Sequence, residues 1–579
     1  MSAIEEIHTR LIAPAELLAP GVRQPINIVD GKPELILPSD HTYFNECAEQ
    51  CFFELAKTER FFRQGDIAVE LMECEDPPKL EELTIEAFRS RLETHFTLRS
   101  VVMHNGQQVT KQKLCSHDHA KALLATQAAV KHLSPIRAVL RSPVFALDNS
   151  GCPTVLNRGY HNLNGGTYIL TERHVDTTVE VEKAVKSLLE IVQGFSFLQE
   201  ADRSRCIAGI ISPALRFGRL LDADFPLDLC EADQSQSGKS YRMELISTIY
   251  GERPFVIVMP SESKSGVGSL DESLSEALLS GSPFIALDNV RGSVTSQLLE
   301  SAIRGERSVS VRRAYSRTTQ IDTDHVCWLL TSNRAQTTRD LANRSVITRL
   351  RKQRWDYKFL EYDGDNLLTH VKKHTDYYLS CIFAVVREWH RRGRPRTNET
   401  RHDFREWSQT LDWIIRSIFK LPPLLDDHHS EQLRISTPGL NFLREVGLAV
   451  KRSGQCDEQL SATEIASICN AASIDVPGCY PGAELDQQAR RIGGLLGPVF
   501  SESELIEVEE FRVQRIHDKA YDEKRSENRP CKLYRFEIRN EKVKHENRCN
   551  VNSASRTGRT AIKNPSTRWQ SAFLPRSGK

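Results

Sequence analysis

The residues best suited to chemistry lie in the middle of the chain, beginning with Ser237-Gly-Lys-Ser240. A short apolar stretch precedes them and a helix over Tyr241–Tyr250 is expected to follow. In that order, backbone N–H groups and the positive end of the helix surround phosphate oxygens. Lys239 brings a point charge to β- and γ-phosphates, Ser240 offers its hydroxyl oxygen to Mg²⁺, and Gly238 lets the backbone approach closely. Ser237, Gly238, Lys239 and Ser240 are thus the expected cofactor-binding set for ATP and Mg²⁺. Asp233 stands where such loops usually carry their first glycine, and an acid facing phosphate opposes binding, so it is expected to point away.

Three further residues follow in an order that fits the same chemistry. Asp288 closes the apolar run Pro283-Phe-Ile-Ala-Leu, where an acid holds Mg²⁺ through water, which makes it the second metal residue beside Ser240. Asn333 closes a second apolar run, His325–Ser332, and is placed to orient an attacking water. Arg344 and Arg349 come after a short helix, suited to reaching a neighbouring subunit's nucleotide. Singly, these residues read as a turn acid, a helix cap and surface cations; together and in order they favour a nucleotide site.

Strands that alternate with helices must position them. Pro226–Glu231, Phe255–Met259, Pro283–Asp288 and His325–Ser332 are the expected strands of an α/β layer spanning 201–357. Residues 1–200 mix helix signals (Phe44–Phe62, Ile85–Phe96, His119–His132) with a strand at Ile67–Met72 and a Gly/Asn-rich hairpin over Gly159–Ile169. A helical segment occupies 358–434, with one strong helix over 365–392 and another near Phe404–Phe419. Residues 435–540 read helix, helix, helix and then two strands, Leu505–Arg515 and Lys532–Arg539, the order of a winged helix. From Arg548 the chain holds seven Lys/Arg and no acid, so 541–579 reads as a basic disordered tail.

Composition sets wider limits. A chain of 579 residues exceeds one ordinary hydrophobic core, and 39% hydrophobic with 27% charged residues is the balance of a globular protein in water. Seventy-seven Lys/Arg balance 77 Asp/Glu, so net charge does not by itself indicate a polyanionic partner. No basic-then-apolar start and no apolar run of roughly 20 residues is present, so a cytoplasmic protein with no membrane partner is expected. Fourteen cysteines lack CxxC spacing. Cys47 and Cys51 read as core residues, and Cys115-Ser-His117-Asp-His119 as a polar helix start rather than a metal site, because no second half follows at zinc spacing.

The segment from about 225 to 352 resembles the ATPase core of AAA+ proteins, and among them the superfamily 3 type helicases of viruses, phages and plasmids. The residues that carry the likeness are Ser237–Ser240, Gly266–Glu272, Pro283–Gly292, Thr331-Ser-Asn333 and Asp340–Arg344. The resemblance implies that Lys239 and Ser240 form Walker A, Asp288 Walker B, Asn333 sensor 1 and Arg344 the finger. Many such ATPases carry a second acid after the Walker B residue, whereas this chain has Asn289. Either Glu272 supplies the carboxylate or hydrolysis is slow; an acid at a helix start is also favoured by the helix dipole. The region before the core resembles the accessory segment of phage and poxvirus primase–helicases, nearest at Gly159-Tyr160, but it lacks an Asp-x-Asp pair for primase chemistry.

The same resemblance implies a hairpin between Walker B and sensor 1 that grips single-stranded DNA in the pore of a hexameric ring. Arg312, Arg313 and Arg317 would contact phosphates there and Tyr315 would stack on a base. In the winged-helix-like part Gln487, Gln488, Arg490 and Arg491 form the expected reading face, with Arg512, Arg515 and Lys519 near the wing. The expected activity is an ATP-dependent helicase or translocase on single-stranded or forked DNA in mobile-element replication, self-associating as a ring, with a primase or initiator protein as a further partner. The alternative is a DNA-binding initiator or regulator that uses ATP as an assembly switch. A P-loop kinase is a third reading, disfavoured because it needs neither Asn333 nor an arginine in trans.

Overall fold

The computed structural model describes residues 10–11, 27–40, 42–232, 234–259, 269–290, 292–304, 308–312, 318–333, 335–480, 482–501, 503–522 and 527–538. It is a mixed α/β chain of two compact units, Met1–Asn441 and Phe442–Lys579. Asp233, Gly266, Arg313, Tyr315, Arg317 and the 541–579 tail lie outside the described residues.

The first unit is organised around a five-stranded sheet: β1 (Leu227–Ala232), β2 (Phe255–Val258), β3 (Phe284–Val290), β4 (Cys327–Ser332) and β5 (Ser345–Leu350). Its order is β2-β3-β4-β1-β5 and every pairing is parallel. Phe284-Ile-Ala-Leu and Trp328-Leu-Leu are buried throughout, as continuous apolar runs are in parallel strands covered on both faces. The first four strands lie where their apolar runs predict. The fifth corrects the reading of Ser345–Arg349 as a segment that displays arginines. It pairs with β1 from Leu227↔Ser345 to Ala232↔Leu350, and Arg349 is buried.

Helix α1 (Lys239–Ile249) follows β1, and α2 (Leu270–Leu279) precedes β3. Beyond the sheet, the single helix expected over 365–392 is two, α3 (Leu367–Lys373) and α4 (Thr375–Arg391). The break falls at His374 (φ −114°, ψ 27°), where the Thr375 hydroxyl bonds back to the Val371 and Lys372 carbonyl oxygens. A further helix, His428–Ser436, buries His428, Glu431, Gln432 and Arg434 rather than an apolar stripe.

Ahead of the sheet, helices Phe44–Ala56 and Ile85–His95 share an apolar core with Cys47, Cys51 and Cys115. The expected helix over His119–His132 is two shorter ones, His117–Leu124 and Ala128–His132. Ser116 caps the first by accepting from the His119 N–H at 3.1 Å, which is the polar helix start expected of that stretch. Gly159–His161 pairs antiparallel with Thr167–Ile169 as a hairpin. Gly166 (φ 119°) is required there, since a Cβ would stand 1.9 Å from the Pro135 carbonyl oxygen.

The second unit holds most of the helix Pro438–Ser453 together with the helices Ala462–Ala471 and Leu485–Val499, the three expected, and a four-stranded antiparallel sheet. The two expected strands are corrected to four. Glu509 (φ 51°) turns the chain between Leu505–Val508 and Phe511–Asp522. Glu527–Ile538 pairs with the latter over twelve residues, and Gln459–Ser461 pairs with its far side.

Candidate nucleotide site

The loop leaves β1 at its carboxyl end, the edge where open α/β sheets bind ligands. Gln236 (φ 60°) and Gly238 (φ 90°) are left-handed, and Gly238 is the N-cap of α1. A Cβ at Gly238 would press on the Phe195 ring at 3.4 Å, so glycine is used for a close approach as well as for its φ. Lys239, the first residue of α1, is buried, and its Nζ donates to Asn333 Oδ1 at 2.6 Å. Ser237 Oγ and the Gln234 carbonyl oxygen lie 3.3 and 3.4 Å from the same amine. Burial pushes the Lys239 pKa down, against the pull of Cys230, Asp288 and Glu231.

Ser240 Oγ donates to Asp288 Oδ1 at 2.7 Å, and Thr331 Oγ1 donates to that same oxygen at 2.5 Å. Thr331 also accepts from the Asn289 N–H at 2.7 Å, so one hydroxyl of β4 fixes both the acid and the next peptide of β3. Asn289 itself is left-handed (φ 51°) and exposed. Four of the expected residues, Lys239, Ser240, Asp288 and Asn333, are thus brought together by strands β1, β3 and β4.

Glu272 is at the third position of α2, and Ser269 Oγ caps that helix by accepting from the Glu272 N–H at 3.2 Å. Sequence reasoning missed Glu244, one turn beyond Ser240 on α1. Its carboxyl is pushed up by burial and then by the negative charge of Asp288, which marks it as a second acid on that side of the site. The i,i+4 spacing from Ser240 is the signal that identifies it.

Arg344 stands apart from these. Its carbonyl oxygen accepts from the Leu227 N–H at the beginning of β1, while the loop leaves the end of that strand, about 17 Å further on. Its guanidinium donates to the Glu300 carbonyl oxygen at 3.0 Å and lies 3.7 Å from Asp340. Arg349 corrects the expectation of a second free arginine: its ion pairs with Glu231 and Glu431 are internal.

Below the loop lies a buried ion network. Glu231 on β1 is fully buried and pairs with Arg434, while its Oε1 accepts from the Ala335 N–H at 3.1 Å. Arg434 Nε donates to Glu431 Oε2 at 3.0 Å. The strand before the loop, the turn after Asn333 and the His428–Ser436 helix are therefore held by one carboxylate.

Of the expected DNA contacts, exposed Arg312 ends the strand Val309–Arg312, opposite Thr318 in an antiparallel hairpin. Arg490 is exposed on the helix Leu485–Val499, and Arg491 donates to the Pro477 carbonyl oxygen at 2.9 Å. Gln488 corrects the expected reading face: it is buried, and its amide donates to the Ala483 carbonyl oxygen. Arg512 and Arg515 are paired with Glu507 and Glu504, and Arg515 lies over the Phe500 ring. No helix among the described residues is long and apolar enough to cross a membrane.

No protein-family model and no curated protein matches the chain. Among solved structures it is similar to the apo C-terminal region of NrS-1, at 8% identity and a TM-score of 0.30, over 84% of this chain and 99% of that one. It is similar to SCCmec type IV Cch, described as an active helicase, at 11% identity and a TM-score of 0.28, over 74% and 85% of the two chains. A JCV helicase bound to a substituted N-phenylacetamide is similar at 11% identity and a TM-score of 0.21, over 44% and 71%.

Proposed function

We propose that the chain is an ATP-dependent DNA helicase or translocase in the replication of a mobile genetic element, assembled as a ring. The observation that supports it most is the convergence of Lys239, Ser240, Asp288 and Asn333 at the carboxyl edge of one parallel sheet. Ser240 and Asp288 offer hard oxygen atoms 2.7 Å apart, a donor set that suits Mg²⁺. Mg²⁺ bound there with ATP would neutralise charge on the β- and γ-phosphates. Lys239 would hold the terminal phosphate and Asn333 would orient water beside it. Thr331 would keep Asp288 in place, and Arg344 of one subunit would serve the nucleotide of the next.

In this reading 1–200 is an accessory domain, 201–357 an AAA+ P-loop core of superfamily 3 type, 358–434 a helical segment and 435–540 a winged-helix-like domain. The hairpin with Arg312, Arg313 and Arg317 and the helix with Arg490 and Arg491 would meet DNA phosphates. ATP turnover measured with and without single-stranded and forked DNA tests the proposal, with Lys239→Ala as the control. DNA-stimulated turnover that this variant abolishes supports it.

A second reading is an initiator or regulator in which ATP drives assembly alone. It is favoured by Asn289, which offers no carboxylate directly after Asp288 and whose peptide is fixed by Thr331. ATP-dependent oligomers on DNA without turnover would sink the motor and leave the switch.

A further inference from the structure

Outside the nucleotide site, one group of side chains has the chemistry and spacing of a metal centre. Asp363, His370 and His374 each offer one ligand atom, and the three atoms lie within 4.8 Å of one another, the one such group among the described residues. Each is positioned by a different device. Tyr362 and Asp365 exchange backbone hydrogen bonds, both 2.9 Å, across the two-residue turn Asp363-Gly364. Both turn residues are left-handed (φ 52° and 79°), which fixes Asp363 at the tip of a tight hairpin. Asn366 then caps α3 by accepting from the Thr369 N–H at 3.0 Å, and His370 follows one turn later. His374 sits at the break between α3 and α4, four residues on and on the same face, the i,i+4 spacing that paired histidine ligands use.

His370 Nδ1 is 3.2 Å from Asp363 Oδ2, and the two imidazole centroids are 4.6 Å apart. The other nitrogen, His370 Nε2, is engaged by the Tyr378 hydroxyl at 3.0 Å, and the ring packs on Tyr362. A ligating histidine characteristically has its second nitrogen held from outside in this way, which sets the tautomer and the ring plane. A plain helix-capping ion pair would need Asp363 and His370 but neither His374 nor Tyr378. Asp365, the next acid, is tied to Lys373 at 2.6 Å.

We propose that Asp363, His370 and His374 form a binding site for a divalent transition-metal ion, Zn²⁺ foremost, with Tyr378 as the positioning residue and the fourth position left to water. Two imidazoles and one carboxylate are a borderline-soft set that suits Zn²⁺ better than Mg²⁺ or Ca²⁺. The ion would clip the Asp363 turn to α3. That helix begins against α1, since the Tyr241 hydroxyl accepts from the Leu368 N–H at 3.2 Å, two residues past Lys239. Metal would therefore brace a wall beside the phosphate loop without taking part in the chemistry there.

The test uses the full-length protein, freed of metal with a chelator and titrated with Zn²⁺ and separately with Co²⁺, whose visible absorption reports four-coordinate geometry. The expected result is one Zn²⁺ per chain, a Co²⁺ spectrum of low coordination number and a rise in melting temperature with Zn²⁺. His374→Ala and Asp363→Asn are each expected to weaken Zn²⁺ binding by about 100-fold, and Tyr378→Phe by about 10-fold. His104→Ala, an exposed histidine elsewhere, leaves it unchanged. His374 and Asp363 are exposed, so both variants keep the fold, which circular dichroism verifies. A wild-type protein that takes up no Zn²⁺, or binding that survives both substitutions in folded protein, overturns the proposal.

Discussion

Lys239 and Asn333, 94 residues apart in sequence, are joined by a 2.6 Å hydrogen bond from Nζ to Oδ1. The amine that would hold a terminal phosphate and the amide that would orient water beside it thus share one point at the ends of β1 and β4. Their roles separate by kinetics. Lys239→Ala is expected to lower ATP affinity by about 10-fold or more, through loss of charge-assisted hydrogen bonds. Asn333→Ala is expected to leave affinity within about 3-fold and lower turnover by about 100-fold. Equilibrium binding of a fluorescent ATP analogue, set beside steady-state turnover, distinguishes the two.

If the site hydrolyses ATP as proposed, Asn289 leaves the water-activating acid to be found elsewhere, and Glu272 and Glu244 are the two candidates. Glu272 occupies a capped helix start, where an acid is favoured by the dipole alone. Glu244 lies one turn beyond Ser240, and burial first and the Asp288 charge second push its carboxyl up. Glu244→Gln is therefore expected to reduce turnover by about 100-fold with ATP binding retained, and Glu272→Gln by less than about 3-fold. The reverse pattern would return the role to Glu272.

Arg344 is expected to act in trans. Arg344→Ala lowers turnover by about 1000-fold when it is the sole subunit type. Mixing it with Lys239→Ala subunits is expected to restore part of the activity, because some interfaces then pair an intact loop with an intact arginine. Absence of rescue across all mixing ratios would place the arginine's role within its own chain.

Glu231 and Arg434 make a stability prediction independent of function. Arg434→Met leaves the fully buried Glu231 carboxylate with Arg349, at 3.7 Å, and the Ala335 N–H, and is expected to cost up to about 3 kcal/mol. Glu231→Gln introduced with it is expected to recover part of that loss. Chemical denaturation of the four proteins of this cycle measures both effects.

Acidification is expected to destabilise the first unit below pH 6.5. Burial, reinforced by nearby arginines, holds His325 down to about 3. Burial likewise holds His402 down to about 4 and His428 well below its ordinary value. His428 Nε2 accepts the Ile347 N–H at 3.1 Å and His402 Nδ1 accepts the Phe404 N–H, contacts that only neutral rings make. Below 6.5 the unfolded chain binds more protons at these sites, so their contribution is full above 6.5 and lost as pH falls toward 4. Glu252 has the opposite sign, since burial raises it to about 8 and its contribution declines as pH climbs from 4.5 through 8. Three fully buried histidines outweigh Glu252 and the less buried Glu244 and Asp224, whose carboxyls burial also raises, so melting temperatures should fall between about pH 6.5 and 4.5. A flat or rising profile there would contradict the histidine assignment.

The three strands that position the candidate site, β1, β3 and β4, and the edge strand β2 were legible in the sequence because each centres on a short run of apolar residues between helices. β5 was hidden by Arg344 and Arg349, which read as display although Arg349 is paired inside the unit. The His428–Ser436 helix was hidden for a related reason. It buries His428, Glu431 and Arg434 against charges from distant strands, so it has little apolar period to find. Glu244 escaped because i,i+4 neighbours of a loop serine become informative only once the partner strand is known. The break at His374 depends on a threonine hydroxyl that bonds its own helix, a competition no window of hydrophobicity registers.

The register of β1 with β5 gives the sheet a front and a back. The loop departs from one edge, and Arg344 stands at the other, where Leu227 faces Ser345. Two copies lying side by side and antiparallel about a two-fold axis would bring each loop to the other's arginine and complete two sites in one closed pair. A head-to-tail contact also joins unlike edges, one site per interface, and such contacts either close on themselves as a ring or run on as a filament. If Arg344 serves a neighbour's nucleotide, the sites completed at each interface, two in a two-fold pair and one in a head-to-tail contact, tell the two assemblies apart.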